Sequence, residues 1–189
     1  EKDVLFVQKE HTFIKNIIMK TNPRYLTKSR IKLGLECPKK LYYYGKKEYE
    51  SQNNDNPFLE GLAEGGYQVG ELAKFHYQFK FLDYEFVDIT SLDYDESLQQ
   101  TAEAMQHEKV VICEGAFKVH NFFIRADIIV KNGNQIKLIE VNSKSTKSGD
   151  EHDFLTKRKP YSILSDERPY LADIAFQQYV MTESFPDYH

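Results

Sequence analysis

Apolar residues between positions 110 and 143 fall into three runs of strand length, 110–119, 122–131 and 136–143. Each run carries one carboxylate: Glu114, Asp127 and Glu140. The breaks between them are short and hold residues that tolerate the positive φ of tight hairpin turns, His120-Asn121 in the first and Gly133-Asn134 in the second. A two-residue turn at His120-Asn121 pairs Val119 with Phe122 and sets Glu114 opposite Asp127. A turn at Gly133-Asn134, or a longer one over 132–135, sets Asp127 opposite Glu140, whereas a turn at Asn132-Gly133 would bring Leu138 there instead. In the first of these registers three carboxylates form a row on one sheet face, with neighbouring Cβ atoms roughly 5 Å apart. Like charges so opposed destabilise a sheet unless a proton is shared or a cation sits among them. Any one of the three, taken singly, also fits a solvated face.

Helical periodicity appears on both sides of these strands. Phe58, Leu62, Val69 and Ala73 form one stripe over 58–75, and Asp93-x-x-Glu96 is a capping signal for a helix over 95–107 with Leu98, Ala102 and Met105 inward. Gly61, Gly65, Gly66 and Gly70 would together cost the first of these helices roughly 4 kcal/mol against alanine. That cost implies that its backbone approaches something closely. Glu60, Glu64 and Glu71 share a face of that helix, and Glu64 is the candidate to reach a site on the sheet. A last helix over 169–181, with Asp166 as a candidate cap, carries Asp173 and Gln177 one turn apart on an otherwise apolar surface. Thr27 or Ser29 can cap a short helix through Leu35, and 79–91 has the composition of one or two strands. Residues 1–22 show no clean period beyond a possible strand at LFV and a helical turn or two at FIKNIIMK. Residues 51–57 read as a polar linker and 145–159 as a polar loop holding Lys147, Lys157, Arg158 and Lys159. His107 and His120 sit at turn edges and read as structural.

Composition narrows the class. The chain has 189 residues, 13 Phe and 13 Tyr, enough for one large domain or for a smaller one with residues 1–22 as an appendage. No apolar run approaches membrane-spanning length and no signal peptide is visible, so no membrane partner is expected. Two cysteines, Cys37 and Cys113, do not suggest a disulfide framework, and reduced, cytoplasmic chemistry is the expectation. The chain starts at Glu1 rather than Met and stops just after a helix, which suggests a piece of a longer protein with other domains. A net charge of −4 gives no general attraction for nucleic acid, so any such binding must be local. One region qualifies. Nine basic residues and a single acid lie between Lys20 and Lys47, with Tyr25, Tyr42, Tyr43 and Tyr44 interleaved. Lys28, Arg30, Lys39, Lys40 and Tyr43, with Lys147 from the polar loop, are the candidates to hold a phosphate backbone and stack on splayed bases. A solvated basic face with tyrosines packed inward is the alternative.

Hard carboxylate oxygens in a row suit Mg²⁺ or Mn²⁺. An ion held by Asp127 and Glu140, with Glu114 or the Val141 carbonyl completing its shell, can activate water and clamp a phosphodiester oxygen. If the third strand persists, Glu140, Asn142 and Lys144 share a face, and Lys144 is the nearest residue able to neutralise developing charge.

Asp127 in RADIIV followed by Glu140-Val141-Asn142 in LIEVNSKS resembles the D…(D/E)-x-K core of the PD-(D/E)XK nuclease superfamily. The stretches YLTKSRIKLGLECPKKLYY, LAEGGYQVGELAK, CEGAF and DIAFQQYV resemble its RecB-like and CRISPR-associated-exonuclease-like branch, and are similar to a bacterial family of uncharacterised multidomain proteins with this nuclease at the N-terminal end. The resemblance implies a restriction-endonuclease-like core, a central mixed sheet with flanking helices. It also implies a metal-dependent nuclease acting on DNA, on ends or single strands. Asp127 and Glu140 match its metal ligands, Glu114 an accessory acid, Glu64 a helix-borne acid, and Gln177 the glutamine of the helix after the core. Two departures stand out. Asn142 occupies the position of the catalytic lysine and cannot supply positive charge. Either Lys144 has taken over that role, or the site is an impaired, DNA-binding module, or the asparagine was introduced to silence it. Some relatives bind an iron–sulfur cluster through four cysteines; only Cys37 matches, so no cluster is expected here.

Overall fold

The computed structural model describes residues 24–46, 48–49, 57–143 and 154–188, the side chains of 57–63 excepted. The readings placed on 1–22, on residues 51–56 of the linker, on the side chains of Phe58, Glu60 and Leu62, and on Lys144 and Lys147 fall outside what is described. The element order is α1 (Lys28–Glu36), α2 (Pro38–Tyr43), α3 (Pro57–Lys80), β1 (Glu85–Asp88), α4 (Tyr94–Ala104), β2 (Lys109–Val119), β3 (Phe122–Asn132), β4 (Gln135–Ile139) and α5 (Arg168–Ser184). The chain is an α/β protein with a four-stranded mixed sheet in the order β1-β2-β3-β4, β1 parallel to β2 and the rest antiparallel.

Both hairpins take the expected registers. Val119 pairs with Phe122 and Asn132 with Gln135, and the turns place His120 at φ 52° and Gly133 at φ 58°. Two departures from regular pairing occur where the carboxylates lie. Glu114 takes φ 57° and drops out of the β2–β3 ladder, which resumes at Gly115–Ala126 without a slip in register. β4 ends at Ile139, four residues short of the expected strand, because the Asp127 side chain accepts the Val141 N–H at 2.8 Å where a ladder bond would have formed.

The kink at Glu114 exchanges the two faces of the sheet. Before it, Val110 and Ile112 point to one core and Val111 and Cys113 to another; beyond it, Phe117 joins the first core although its parity is opposite. β3 switches in step, with Ile129 on one side of Asp127 and Ala126 and Ile124 on the other all in the first core. Gly115 makes the switch sterically possible. A Cβ there would come 2.9 Å from Ile129 Cδ1 and 3.3 Å from Ile112 Cγ2. The first core is closed by Ala104 and Met105 at the end of α4 and by Val180 and Met181 of α5. The second is closed by Ala73, Tyr77 and Phe81, which belong to or directly follow α3.

α4 corrects one expectation. Ala102 is exposed, and the buried stripe is Ser97, Thr101 and Ala104, with Met105 after it and Leu98 half-buried beside Tyr25 and Phe123. The buried hydroxyls are satisfied. Ser97 Oγ donates to the Tyr94 carbonyl, and Thr101 Oγ1 donates to the Ser97 carbonyl while accepting the Ala116 N–H, each Thr101 bond 2.8 Å. β1 pairs with β2 only as far as Cys113, so that among the described residues the Ala116 amide has no strand on that side to bond. Asp93 caps the helix as expected, accepting from the N–H groups of Asp95 and Glu96. At α5 the cap position is Glu167 rather than Asp166, whose carboxylate accepts from Ser165 Oγ instead.

Gly65, Gly66 and Gly70 approach no sheet or helix closely among the described residues, while Gly66 and Gly70 line a cleft. A Cβ at Gly65, Gly66 or Gly70 would meet nothing within 4 Å. Gly66→Ala and Gly70→Ala are therefore each expected to raise stability by up to about 1 kcal/mol, through helix propensity alone. A urea midpoint that stays put or falls would show that these positions are constrained by something else.

Candidate active site

Asp127, midway along β3, and Glu140, just past the end of β4, come together under α1 and α5. Lys28, the first residue of α1, extends its ammonium between the two central acids. Nζ lies 3.3 Å from Asp127 Oδ1, 3.1 Å from Glu140 Oε1 and 2.9 Å from Glu140 Oε2. A cation does sit in the row, and it comes from the chain itself. Burial works to lower the pKa of this ammonium, but the charge of Asp127 and the hydrogen bond and charge of Glu140, with Asp173 adding, outweigh it, and the net shift is upward. Lys28 was expected to meet nucleic acid; its side chain is only 19% exposed and committed to the acids.

Gln177 holds the far side of Glu140. Its Nε2 donates to Glu140 Oε2 at 2.8 Å and to Asp173 Oδ1 at 3.1 Å, so the i, i+4 spacing on α5 turns both polar residues toward the site. Asp173 is also paired with Lys32 of α1 at 2.6 Å. Gln177 Oε1 is buried without a hydrogen-bond partner. Asp127, Lys28, Glu140, Gln177, Asp173 and Lys32 thus form one connected polar network that ties α1 and α5 to the middle of β3 and the end of β4.

Glu114 belongs to the other side of Asp127. It lines a cleft of about 240 Å³ with Asp127, Ile128, Val141 and, from α3, Gly66, Tyr67, Gly70, Glu71 and Lys74. Burial and then the charge of Asp127 raise its pKa, against the opposing pull of Arg125, Lys74 and Lys28. Its proton affinity is higher in the folded chain than in the unfolded one, so its contribution to stability falls as pH rises from the ordinary value of 4.5 through the higher folded value. The row therefore combines a cation on one side with raised proton affinity on the other. The Arg125 guanidinium approaches Glu114 at 3.6 Å and donates to the carbonyls of Ser91 and Ile89 at 2.6 and 2.8 Å, pinning the segment after β1 to the middle of β3.

The helix-borne acid on the cleft is Glu71, whose carboxylate pairs with Lys74 at 3.1 Å; Lys74 also reaches Asp88 at 3.2 Å. Glu64, two turns earlier, is exposed and does not line the cleft. Seven residues separate them, close to two full turns, so the shared face was readable but the depth along the sheet was not. Asn142 is exposed just beyond the end of β4. Lys28, Glu71, Lys74 and Arg125 are the residues around the acids that the sequence reading placed elsewhere or passed over.

Among the described residues no group of three or more His, Cys, Asp or Glu side chains is arranged to hold a metal ion. The donor chemistry of the central pair nonetheless fits a hard divalent cation, because two carboxylates from adjacent strands converge on one cationic atom. The basic, aromatic segment is divided. Arg30 is used internally, donating to the Tyr25 carbonyl and lying 5.9 Å from the Tyr44 ring, and Lys40 pairs with Glu36 at 2.8 Å on the surface. Lys39 and Tyr43 are exposed, and Tyr42, Tyr43 and Tyr49 form an exposed cluster with Lys46 lying 3.5 Å from the Tyr42 ring centre.

The two thiols differ sharply. Cys113 is fully buried in β2, and burial, with the charge of Asp88 adding, pushes it up to about 12. Iodoacetamide at pH 8 is expected to label the partly exposed Cys37 in the native protein and to reach Cys113 only on unfolding, as read by mass spectrometry. Equal native labelling of both would contradict the burial of β2.

Among the described residues no helix is long and apolar enough to cross a membrane. No protein-family model, curated protein or solved structure matches the chain, so the site has to be read from its own geometry.

Proposed function

We propose that the chain is a metal-dependent nuclease domain with a restriction-endonuclease-like core, hydrolysing phosphodiester bonds in DNA. The observation that carries this reading is the convergence of Asp127 and Glu140 on a single cation, with Gln177 braced behind Glu140. Asp127 and Glu140, with the Val141 carbonyl, would hold Mg²⁺ or Mn²⁺. Bound there, the ion supplies a Lewis acid and lowers the pKa of its water toward neutrality.

The residues around the pair have separable tasks. The Val141 N–H fixes the Asp127 carboxylate by its Oδ2, leaving Oδ1 to face the cation. Gln177 fixes Glu140 by its Oε2 in the same manner. Glu114, with its raised proton affinity and its place on the cleft, is suited to hold a proton beside the reacting phosphate. The exposed tyrosines and lysines around α2 offer stacking surfaces and positive charge for a single strand or a frayed end. Lys144 and Lys147 are further candidates on the chain that follows β4.

A second reading has an observation of its own. Lys28 already neutralises the central acids and Asn142 offers no positive charge, which suits a nuclease-like module that binds DNA without cutting it. Labelled single- and double-stranded DNA incubated with the protein, with and without Mn²⁺, separates the two. Metal-dependent cleavage by the protein as it stands supports the first reading. Binding without cleavage, with activity appearing only in Asn142→Lys, supports the second.

A further inference from the structure

We propose that Lys28 is a built-in competitor for the cation site of Asp127 and Glu140, its ammonium holding the pair together when no metal is bound and leaving when a divalent ion enters. The inference rests on reading these two carboxylates as the metal pair. It follows from how the four carboxylate oxygens are used. Asp127 Oδ2 is taken by the Val141 N–H, and Glu140 Oε2 is shared between Gln177 and Lys28. The remaining two, Asp127 Oδ1 and Glu140 Oε1, are bonded by Lys28 at 3.3 and 3.1 Å. These are the oxygens a metal bridging the two strands would need, and the ammonium lies on both. An ammonium and a divalent ion cannot share that space, because two cations a few ångströms apart in a half-buried site repel strongly.

The local construction suits a side chain that moves while its helix stays. α1 is anchored at Asp173 by Lys32, and the residues just before it are stitched to the β2–β3 turn: Leu26 N–H donates to the Asn121 carbonyl at 2.8 Å and the Leu26 carbonyl accepts from Phe123 N–H at 3.1 Å. Lys28 itself sits on a four-carbon stem with rotatable bonds, so its ammonium can withdraw without displacing that anchor. Withdrawal leaves a positive charge at the rim of the site. Competition is reciprocal, so whatever Lys28 costs the metal in affinity, the metal costs the Lys28 contact.

Mn²⁺ binding, followed by the electron paramagnetic resonance signal of the free ion, tests this directly. Lys28→Met is expected to bind Mn²⁺ on the order of tenfold more tightly than the parent chain, and Asp127→Asn to lose that site. In the parent protein, saturating Mn²⁺ is expected to raise the labelling of Lys28 by an amine reagent, read by peptide mass spectrometry; this arm decides the matter if Lys28→Met does not fold. Mn²⁺ binding that is equal or weaker in a folded Lys28→Met, or Lys28 labelling unmoved by bound Mn²⁺, overturns the competition while leaving the metal reading intact. Binding undiminished in Asp127→Asn places the ion elsewhere and overturns the proposal. Absence of Mn²⁺ binding from both the parent and Lys28→Met removes the metal reading and the competition together.

Discussion

Asp127→Asn is expected to abolish metal-dependent cleavage, with a loss of at least 10²–10³-fold on the order seen when one group that stabilises developing charge is removed from a phosphoryl or acyl transfer site. The substitution is chosen over alanine for a structural reason. Asparagine keeps an oxygen that can accept the Val141 N–H, so the end of β4 stays tied to β3. What it removes is the negative charge that faces the cation. The measurement is cleavage of end-labelled single-stranded DNA across a Mn²⁺ titration, beside a thermal melt of the same preparation. A folded variant that cuts at the parental rate would sink the assignment of Asp127 as a metal ligand and, with it, the nuclease reading of the row.

Lys28→Met is expected to cost about 3 kcal/mol of stability near neutral pH in metal-free buffer, the lower end of what breaking a buried ion pair costs. The lower end applies because Asp127 keeps about a quarter of its side-chain surface in solvent and can recover some hydration. Methionine fills much of the stem's volume, so the loss is chiefly that of the charge: two carboxylates are left facing each other with Gln177 and one main-chain N–H between them. The pH dependence has a definite sign. The folded-state pKa of Lys28 lies above its ordinary value of 10.5, so its contribution is fully present below pH 10.5 and is lost only as pH climbs through the higher folded value. The stability gap between parent and variant should therefore hold steady through neutral and mildly alkaline pH and close above about 10.5. Urea denaturation at several pH values reads this directly. A gap that closes between pH 7 and 9 would mean that the ammonium is not held by the acids.

Much of the sheet could be read from the chain because hairpin turns are local. His120-Asn121 and Gly133-Asn134 announce themselves by residues that accept positive φ, and once the turns are placed every later pairing follows by counting. The polar pair on α5 could be read for a similar reason, since Asp173 and Gln177 break an apolar stripe at helical spacing. What could not be read is contact between distant segments. Lys28 meets Asp127 across 99 residues and Glu140 across 112, and nothing in its own neighbourhood separates it from eight other basic residues. The exchange of faces at Glu114 was hidden for a different reason. Strict alternation is the rule by which strands are read, and it assigns Phe117 and Ile112 to opposite sides, whereas both lie in one core. Gly115 was the available clue, as glycine within a strand often marks a close approach. Gly65, Gly66 and Gly70, by contrast, suggested a close approach and meet no sheet or helix, because low helix propensity says only that a helix is weakened and not why.

The shortness of β1 has a consequence for how the sheet meets its surroundings. Past Cys113 the outer side of β2 would be a bare edge, the kind of surface on which a foreign strand can dock and polymers can grow. Among the described residues no fifth strand guards it. A single threonine hydroxyl on α4 takes the Ala116 amide instead, so a helix performs the sealing that other sheets leave to charge, proline or a bulge. Protection of that flank against templated growth thus depends on a buried polar side chain, Thr101.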